Sequence, residues 1–195
     1  MWLDHLILFL GWGVFYFLHS FLLKENVKKK IDLKPRTYRL FYNLLSLILI
    51  IVVLLVGAVI PSPLMYVPAP GTFYIGLMVS TVGIFVIKRA FRNYSTRVFL
   101  GVKKESMSSE LKTQGLQGKI RHPLYTGTIM IFLGYFVYNP MLSSLITLVS
   151  LLIYLPFGIK MEENKLIDKF GQQYLDYRDK VPALLPKIHF NKNES

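Results

Sequence analysis

No cysteine occurs anywhere in the 195 residues. That excludes a disulfide framework and a thiolate metal site, and it leaves the redox compartment unread. Charge is missing in blocks: none of the 23 Lys and Arg lies in residues 1–23, 40–87 or 122–159, and no Asp or Glu interrupts 40–87 or 122–159. Proton-coupled carriers use ionisable groups at membrane depth, so this pattern argues against a transporter or channel. Nucleotide loops are missing too, because Gly115-Leu116-Gln117-Gly118 fits neither the dinucleotide nor the P-loop pattern. The four histidines, His5, His19, His122 and His189, lack ligand spacing, so no metal is expected. No nucleophile–histidine–acid trio, internal repeat or low-complexity segment stands out.

What is present is apolar length. Hydrophobic residues make up 53% of the chain, the net charge is +12 and the mean hydropathy is +0.43. All 23 basic residues fall in Lys24–Arg39, Lys88–Arg121 and Lys160–Lys192. Cytoplasmic loops carry the Lys/Arg excess of membrane proteins, so these stretches belong on the cytoplasmic side. Membrane orientation accounts for the positive charge, and no nucleic-acid partner is expected. The expected fold is all-α: one integral-membrane domain over 1–195, with about five transmembrane helices, the N-terminus outside and an amphipathic C-terminal helix in the cytoplasm. The spans are placed at 2–23, 40–60, 72–87, 123–138 and 141–159, on the criterion that about 20 apolar residues cross the hydrocarbon core. The first does not read as a signal peptide, since no basic residue precedes it and no small-x-small site follows.

Details along the chain refine this. His19, Tyr38 and Asn43 sit at the inner ends of the first two spans and are candidates for a substrate pocket; a buried amide such as Asn43 needs partners. Tyr38 and Tyr42 also suit the headgroup level. Pro35 is expected to end any helix before it. Gly76, Ser80 and Gly83 suit close helix approach. Residues 93–119 read as a polar connector with a short surface helix. Pro123 is a favoured first helical residue, and Asn139-Pro140 makes an outer turn. Pro156 is expected to kink the last span one turn before Glu162. Leu166, Phe170, Tyr174 and Tyr177 recur at helical spacing and mark the amphipathic segment; 187–195 reads as a frayed tail.

The stretch 115–186 carries the chemistry. As helix, 123–138 rises about 24 Å and the return from 141 to 160 about 30 Å. Arg121-His122 and Glu162-Glu163 therefore meet at one level. Such a site suits a ligand with a carboxylate, a ribose and an aromatic base, in which Arg121 forks onto the carboxylate and a glutamate takes the ribose hydroxyls. The competing reading is an interfacial salt bridge that closes the bundle. Spacing does not separate the two.

Arg121-His122-Pro123-Leu124-Tyr125-Thr126-Gly127, Glu162-Glu163-x-x-Leu166, Phe170-Gly171-x-x-Tyr174-x-x-Tyr177 and Val181-Pro182 resemble the isoprenylcysteine carboxyl methyltransferase family of integral-membrane enzymes. The resemblance implies S-adenosylmethionine as methyl donor, bound at the cytosolic end of the hairpin. It places Gln117, Arg121, His122, Tyr125, Glu162 and Glu163 in the cofactor site and Tyr174, Tyr177 and Arg178 in its lid. Arg121, His122 and Glu163 would be the catalytic group. Gln117 departs from the pattern, which commonly has an aromatic there. Leu18-His19-Ser20 and Tyr38-Arg39-Leu40-Phe41-Tyr42-Asn43 are similar to the branch of methanethiol S-methyltransferases and NnrU-like proteins. The implied acceptor is an isoprenylcysteine-like carboxylate or a small thiol. The alternatives are a phospholipid amine or a non-catalytic NnrU-like membrane factor. The implied location is a membrane of the prokaryotic inner-membrane kind, with the site facing the cytoplasm.

Overall fold

The computed structural model describes residues 1–31, 33–92 and 110–187. Its secondary structure is helical: α1 (Trp2–Leu22), α2 (Glu25–Ile31), α3 (Pro35–Val59), α4 (Thr72–Phe91), α5 (Pro123–Tyr138), α6 (Leu142–Phe170) and α7 (Gln172–Lys180). Four of these, α1, α3, α4 and α6, are long and apolar enough to cross a membrane. α5 has 16 residues, a rise of about 24 Å, somewhat short of the hydrocarbon thickness. Large apolar side chains such as Leu44, Leu55, Tyr74, Met78 and Phe85 stay exposed on α3 and α4. In water this would be untenable, whereas lipid is the solvent such faces match.

The bundle is organised around α1, which packs between α3 and α6. Leu8, Trp12, Phe15 and Tyr16 form a core with Val53, Leu151 and Leu155. The Trp12 indole donates to Thr147 Oγ1 at 3.1 Å, so its one polar atom is satisfied inside the core. α4 packs on α5 in a different way, backbone against backbone. A Cβ at Gly134 would lie 2.5 Å from the Gly76 carbonyl, and one at Gly127 would lie 2.8 Å from the Gly83 carbonyl. Glycines seven residues apart on each helix thus let two antiparallel rods touch, as the small-residue spacing predicts.

At one end, residues 62–65 bind the turn before α6: Leu142 N donates to Pro63 O and Met65 N to Pro140 O. Ser62 Oγ accepts from Ser143 N and bonds His5 Nε2. The basic residues gather at the opposite end, where Tyr38 donates to Leu22 O and Lys165 to Leu23 O.

Several expected boundaries move. Pro35 begins α3 rather than merely closing what precedes it, because a proline at the first position lacks only an N–H that would be unpaired anyway. α4 continues past residue 87 to Phe91. α6 does not stop at 159 but runs through Pro156 to Phe170, so the polar residues after 159 ride on the same rod as the span. The C-terminal segment expected as one amphipathic helix is two helical pieces, broken at Gly171, whose φ of +56° favours glycine. The connector over 93–109 and the tail from 188 lie outside the described residues.

The α4–α5 contact yields a test. Gly134→Ala should lower unfolding stability in detergent by about 1–3 kcal/mol, the usual range for overpacking. Gly13→Ala, where nothing lies within 4 Å of the new methyl, should stay within about 0.5 kcal/mol. Equal effects in thermal unfolding would refute the close-packed contact.

Candidate active site at the basic end

The site begins with a turn. Gly115 has φ +66°, and Lys119 N and Ile120 N both donate to Leu116 O. This turn buries Gln117, whose amide donates to Ala90 O at 3.3 Å and ties the turn to the end of α4. Arg121 follows, and His122 caps α5 with Pro123 as first helical residue.

From the other side, α6 extends beyond its apolar part and presents Glu162 and Glu163. Glu163 Oε1 accepts from Arg121 Nε at 3.0 Å, Arg121 Nη2 at 2.8 Å and His122 Nε2 at 3.1 Å. Glu162 Oε2 stands 3.3 Å from His122 Nδ1. Both ring nitrogens of His122 therefore face carboxylates, an arrangement that favours the doubly protonated ring.

The chain after α7 closes over this centre as a strap. Arg121 Nη1 donates to Arg178 O at 2.9 Å and also to Val181 O. Arg121 N donates to Pro182 O and His122 N to Ala183 O, each at 2.9 Å. Thr126 Oγ1 reaches Leu184 O at 2.7 Å, and Tyr177 OH donates to Gln117 O at 2.6 Å. Tyr174 is buried beneath the strap, and among the described residues its hydroxyl has no hydrogen-bond partner.

These groups lie beyond the apolar part of α6, and their electrostatics follow from the contacts. Burial disfavours the charged form of His122, but Glu162 and Glu163 outweigh it and hold the imidazole above its usual range. Burial likewise opposes Glu163 ionisation, yet His122 and Arg121 keep its carboxyl below the usual range. Burial, helped by the Glu163 charge, pushes the Tyr174 phenol up.

Beside this centre lies a cavity of about 130 Å³ lined by His19, Leu23, Tyr125, Tyr154, Gly158, Met161, Glu162 and Lys165. Tyr154, Gly158, Met161, Glu162 and Lys165 form one stripe of α6 at helical spacing. Tyr154 OH bonds Ser20 Oγ at 2.9 Å, and Tyr154 stacks on Tyr16 with centroids 4.3 Å apart. On the α3 side, Tyr42 OH lies 2.8 Å from His19 Nδ1 and 2.9 Å from Nε2.

The expected site residues thus divide. Arg121, His122, Glu162, Glu163 and Tyr125 meet in one place, and Gln117, Tyr174, Tyr177 and the Arg178 carbonyl belong to the turn and strap around them. Arg121 directs its fork at Glu163 and at main-chain carbonyls, so the expected fork onto a ligand carboxylate is not what this geometry displays; the salt-bridge reading describes its contacts. Gln117 reaches α4 instead of an open face. His19 lines the cavity. Tyr38 does not, since its hydroxyl caps α1, and Asn43 sits half-buried on α3 outside the lining. Tyr42, expected only at the headgroup level, bonds His19, and Tyr154 and Lys165, outside the expected site, line the cavity, although the stripe from Tyr154 to Lys165 is a periodic polar signal in an apolar helix. Among the described residues no group of three or more His, Asp or Glu is placed to hold a metal.

An apolar bundle with helices of membrane length and a charged centre at one end defines a polytopic membrane-protein class. The family described as NnrU protein matches residues 7–185, and the chain belongs to it. Among curated proteins, it is 36% identical over 87 residues to methanethiol S-methyltransferase 1 of Bradyrhizobium diazoefficiens, covering 44% of this chain and 29% of that protein. It is 26% identical over 187 residues to a methanethiol S-methyltransferase of a Pseudomonas species, covering 89% and 70%. It is 32% identical over 117 residues to the protein-S-isoprenylcysteine O-methyltransferase of Tribolium castaneum, covering 58% and 41%. The Pseudomonas protein apart, the chain spans less than half the length of these relatives. No solved structure matches it.

The centre gives a pH signature. A histidine that holds its proton more tightly when folded contributes stability fully below its ordinary value of 6.5, and that contribution fades as pH rises through the folded value. Glu163 behaves oppositely: its contribution is complete above 4.5 and is lost as pH falls through its depressed value. Thermal unfolding in detergent should therefore weaken as pH rises above 6.5, and His122→Asn should flatten that decline. An unchanged slope in the variant would contradict the two-carboxylate environment.

Proposed function

We propose that this protein is a membrane methyltransferase that moves a methyl group from S-adenosylmethionine to a small thiol, with its site facing the cytoplasm. The observation that carries the reading is the Arg121–Glu163–His122–Glu162 centre abutting a cavity between the helices. Relatives are named methanethiol S-methyltransferase and protein-S-isoprenylcysteine O-methyltransferase. The basic end is assigned to the cytoplasm by its Lys/Arg excess, and α5, locked to α4 through glycines, is assigned as the fifth span.

Bound S-adenosylmethionine supplies an electrophilic methyl on a sulfonium, which requires no metal. The chain's residues fit such a group. The Tyr174 hydroxyl is buried without a partner among the described residues, and the Glu162 side chain is 49% exposed at the cavity edge. Glu162 would take the donor's ammonium or ribose hydroxyls, and Tyr174 a polar atom beneath the strap. Arg121 holds Glu163 and the strap in position. The protein's contribution is placement in a dry site.

Cavity size favours the small thiol. About 130 Å³ is well below the roughly 300–1,000 Å³ of pockets for drug-sized ligands. A larger apolar groove of about 510 Å³ is lined by Ile51, Leu54, Leu55, Ile131 and Tyr135, among others. It lies toward the far ends of α3 and α5, away from His122, so it offers a prenyl or acyl chain no route to the centre.

Protein in nanodiscs with methyl-labelled donor should methylate methanethiol but neither a prenylcysteine carboxylate nor phosphatidylethanolamine. Donor binding without turnover on any of the three would favour a non-catalytic factor. Glu162→Gln should weaken calorimetric binding of the demethylated product about 10- to 100-fold, the usual weight of a charge-assisted hydrogen bond. Unchanged binding would remove Glu162 from the donor site.

A further inference from the structure

A thiol acceptor must lose a proton before its sulfur can attack, because a thiol such as cysteine, with an ordinary pKa of about 8.5, is mostly protonated at neutral pH. Resting on the methyl-transfer reading, we propose that His19, in the last turn of α1 at the basic end of the bundle, is the base that takes this proton, and that the cavity binds its thiol as a thiolate paired with Lys165.

The argument begins with the other candidates. His122 has a carboxylate at each ring nitrogen, so the ring is a donor on both sides and has no lone pair to offer. Glu163 is occupied by Arg121 and His122. Glu162 lines the cavity but leans on His122. Tyr125 and Tyr154 are phenols, much weaker bases in neutral form than an imidazole.

His19 differs in each respect. It lines the cavity. Among the described residues no carboxylate bonds its ring; its partners are the Tyr42 hydroxyl and, at 3.3 Å from Nδ1, the Ser46 hydroxyl. A hydroxyl can donate to one state of the ring and accept from the other, so these partners tolerate both protonation states. The ring is held in place by Phe15 on its own helix, at 5.7 Å between centroids, and by Tyr42, at 5.2 Å. The groups facing it from neighbouring elements are Tyr42 and Ser46 on α3, Tyr125 on α5, and Tyr154, Glu162 and Lys165 on α6.

Lys165 completes the pair. Its ammonium donates to Leu23 O at 3.0 Å, which leaves two N–H groups. An ammonium beside the cavity favours an anionic sulfur, so it stabilises the thiolate that proton transfer leaves. Glu162 offsets the charge once His19 is protonated.

In the step, the S–H bond breaks, its proton passes to an imidazole nitrogen of His19, and the electron pair remains on sulfur. That pair forms the S–CH3 bond as the methyl–sulfonium bond of the donor breaks. The broken bond's electrons stay on the donor sulfur, which becomes a neutral thioether. The proton on His19 then returns to water.

The test uses full-length protein in nanodiscs, first without donor. Methanethiol should bind with the ultraviolet band of a thiolate, and in protein carrying nitrogen-labelled histidine the His19 signal should move to the imidazolium position. His19→Gln should abolish the thiolate band, and Lys165→Met should weaken it. With donor present, His19→Ala should slow methyl transfer to methanethiol by about 10²-fold or more, the usual weight of a general base. Added imidazole should restore part of that rate.

Wild-type binding of methanethiol in its neutral form, or a His19 signal that does not shift, would overturn the proposal without recourse to any variant. A His19→Ala defect that added imidazole does not relieve would also overturn it, by reducing His19 to a structural part. If no acceptor is methylated and yet the thiolate band depends on His19, the methyl-transfer reading fails and the base assignment survives.

Discussion

Arg121 joins three parts of the chain that are far apart in sequence. Its guanidinium holds Glu163 on the extended end of α6 with two nitrogens and the carbonyls at the end of α7 with a third. Both side chains of the ion pair are largely shielded, 12% and 13% exposed, so neither charge can fall back on water. Removing one partner from a buried pair usually costs about 3–5 kcal/mol, because the other charge is stranded. The fork's fixed geometry suits this task, since its donors point in directions that an ammonium would not hold. Once Arg121 is fixed, the N–H groups of Arg121 and His122 meet the Pro182 and Ala183 carbonyls, and the strap settles over Tyr174.

Two histidines at the same end of the bundle illustrate how environment assigns chemistry. His122 lies between two carboxylates, which favour its cationic form. His19 lies among hydroxyl groups and aromatic rings, across a small cavity from an ammonium. One imidazole belongs to the framework that holds the centre together, while the other lines the cavity. Glu162 stands between them, touching His122 and lining the cavity of His19. The two halves of the site are therefore linked through one half-exposed carboxylate.

The packing that supports this is uneven. α1 is held by a core of aromatic and aliphatic side chains with satisfied polar atoms, whereas α4 is held to α5 by the absence of side chains at Gly76, Gly83, Gly127 and Gly134. A backbone-to-backbone contact tolerates little sliding, so it sets the height of α5 and with it the level of His122 and Arg121. In lipid, where apolar burial drives helix association weakly, such close contact and internal hydrogen bonding take over.

How much of this was legible in the residues alone can be traced case by case. The apolar runs, the gathering of every Lys and Arg into three stretches and the small residues of α4 are one-dimensional facts. They express the cost of charge in hydrocarbon and the need for backbone approach, which do not depend on the final arrangement. The pairing of Arg121-His122 with Glu162-Glu163 was also readable, since a hairpin of two helices of similar rise returns to its starting level. Other features were decided only by packing. Adjacent residues on a helix point about 100° apart, so the rotation of α6 determined that Glu163 faces Arg121 while Glu162 borders the cavity. Rotation likewise placed Tyr154 and Lys165 beside His19 and turned Tyr38 away to cap α1. α6 also persists through Pro156 to Phe170, which an interior proline by itself does not foretell. The sequence determined which segments are apolar and at which end the charges gather, because hydrophobicity and charge add up along a chain. Tertiary structure alone decided which atoms meet, because that depends on the angle at which each helix is held.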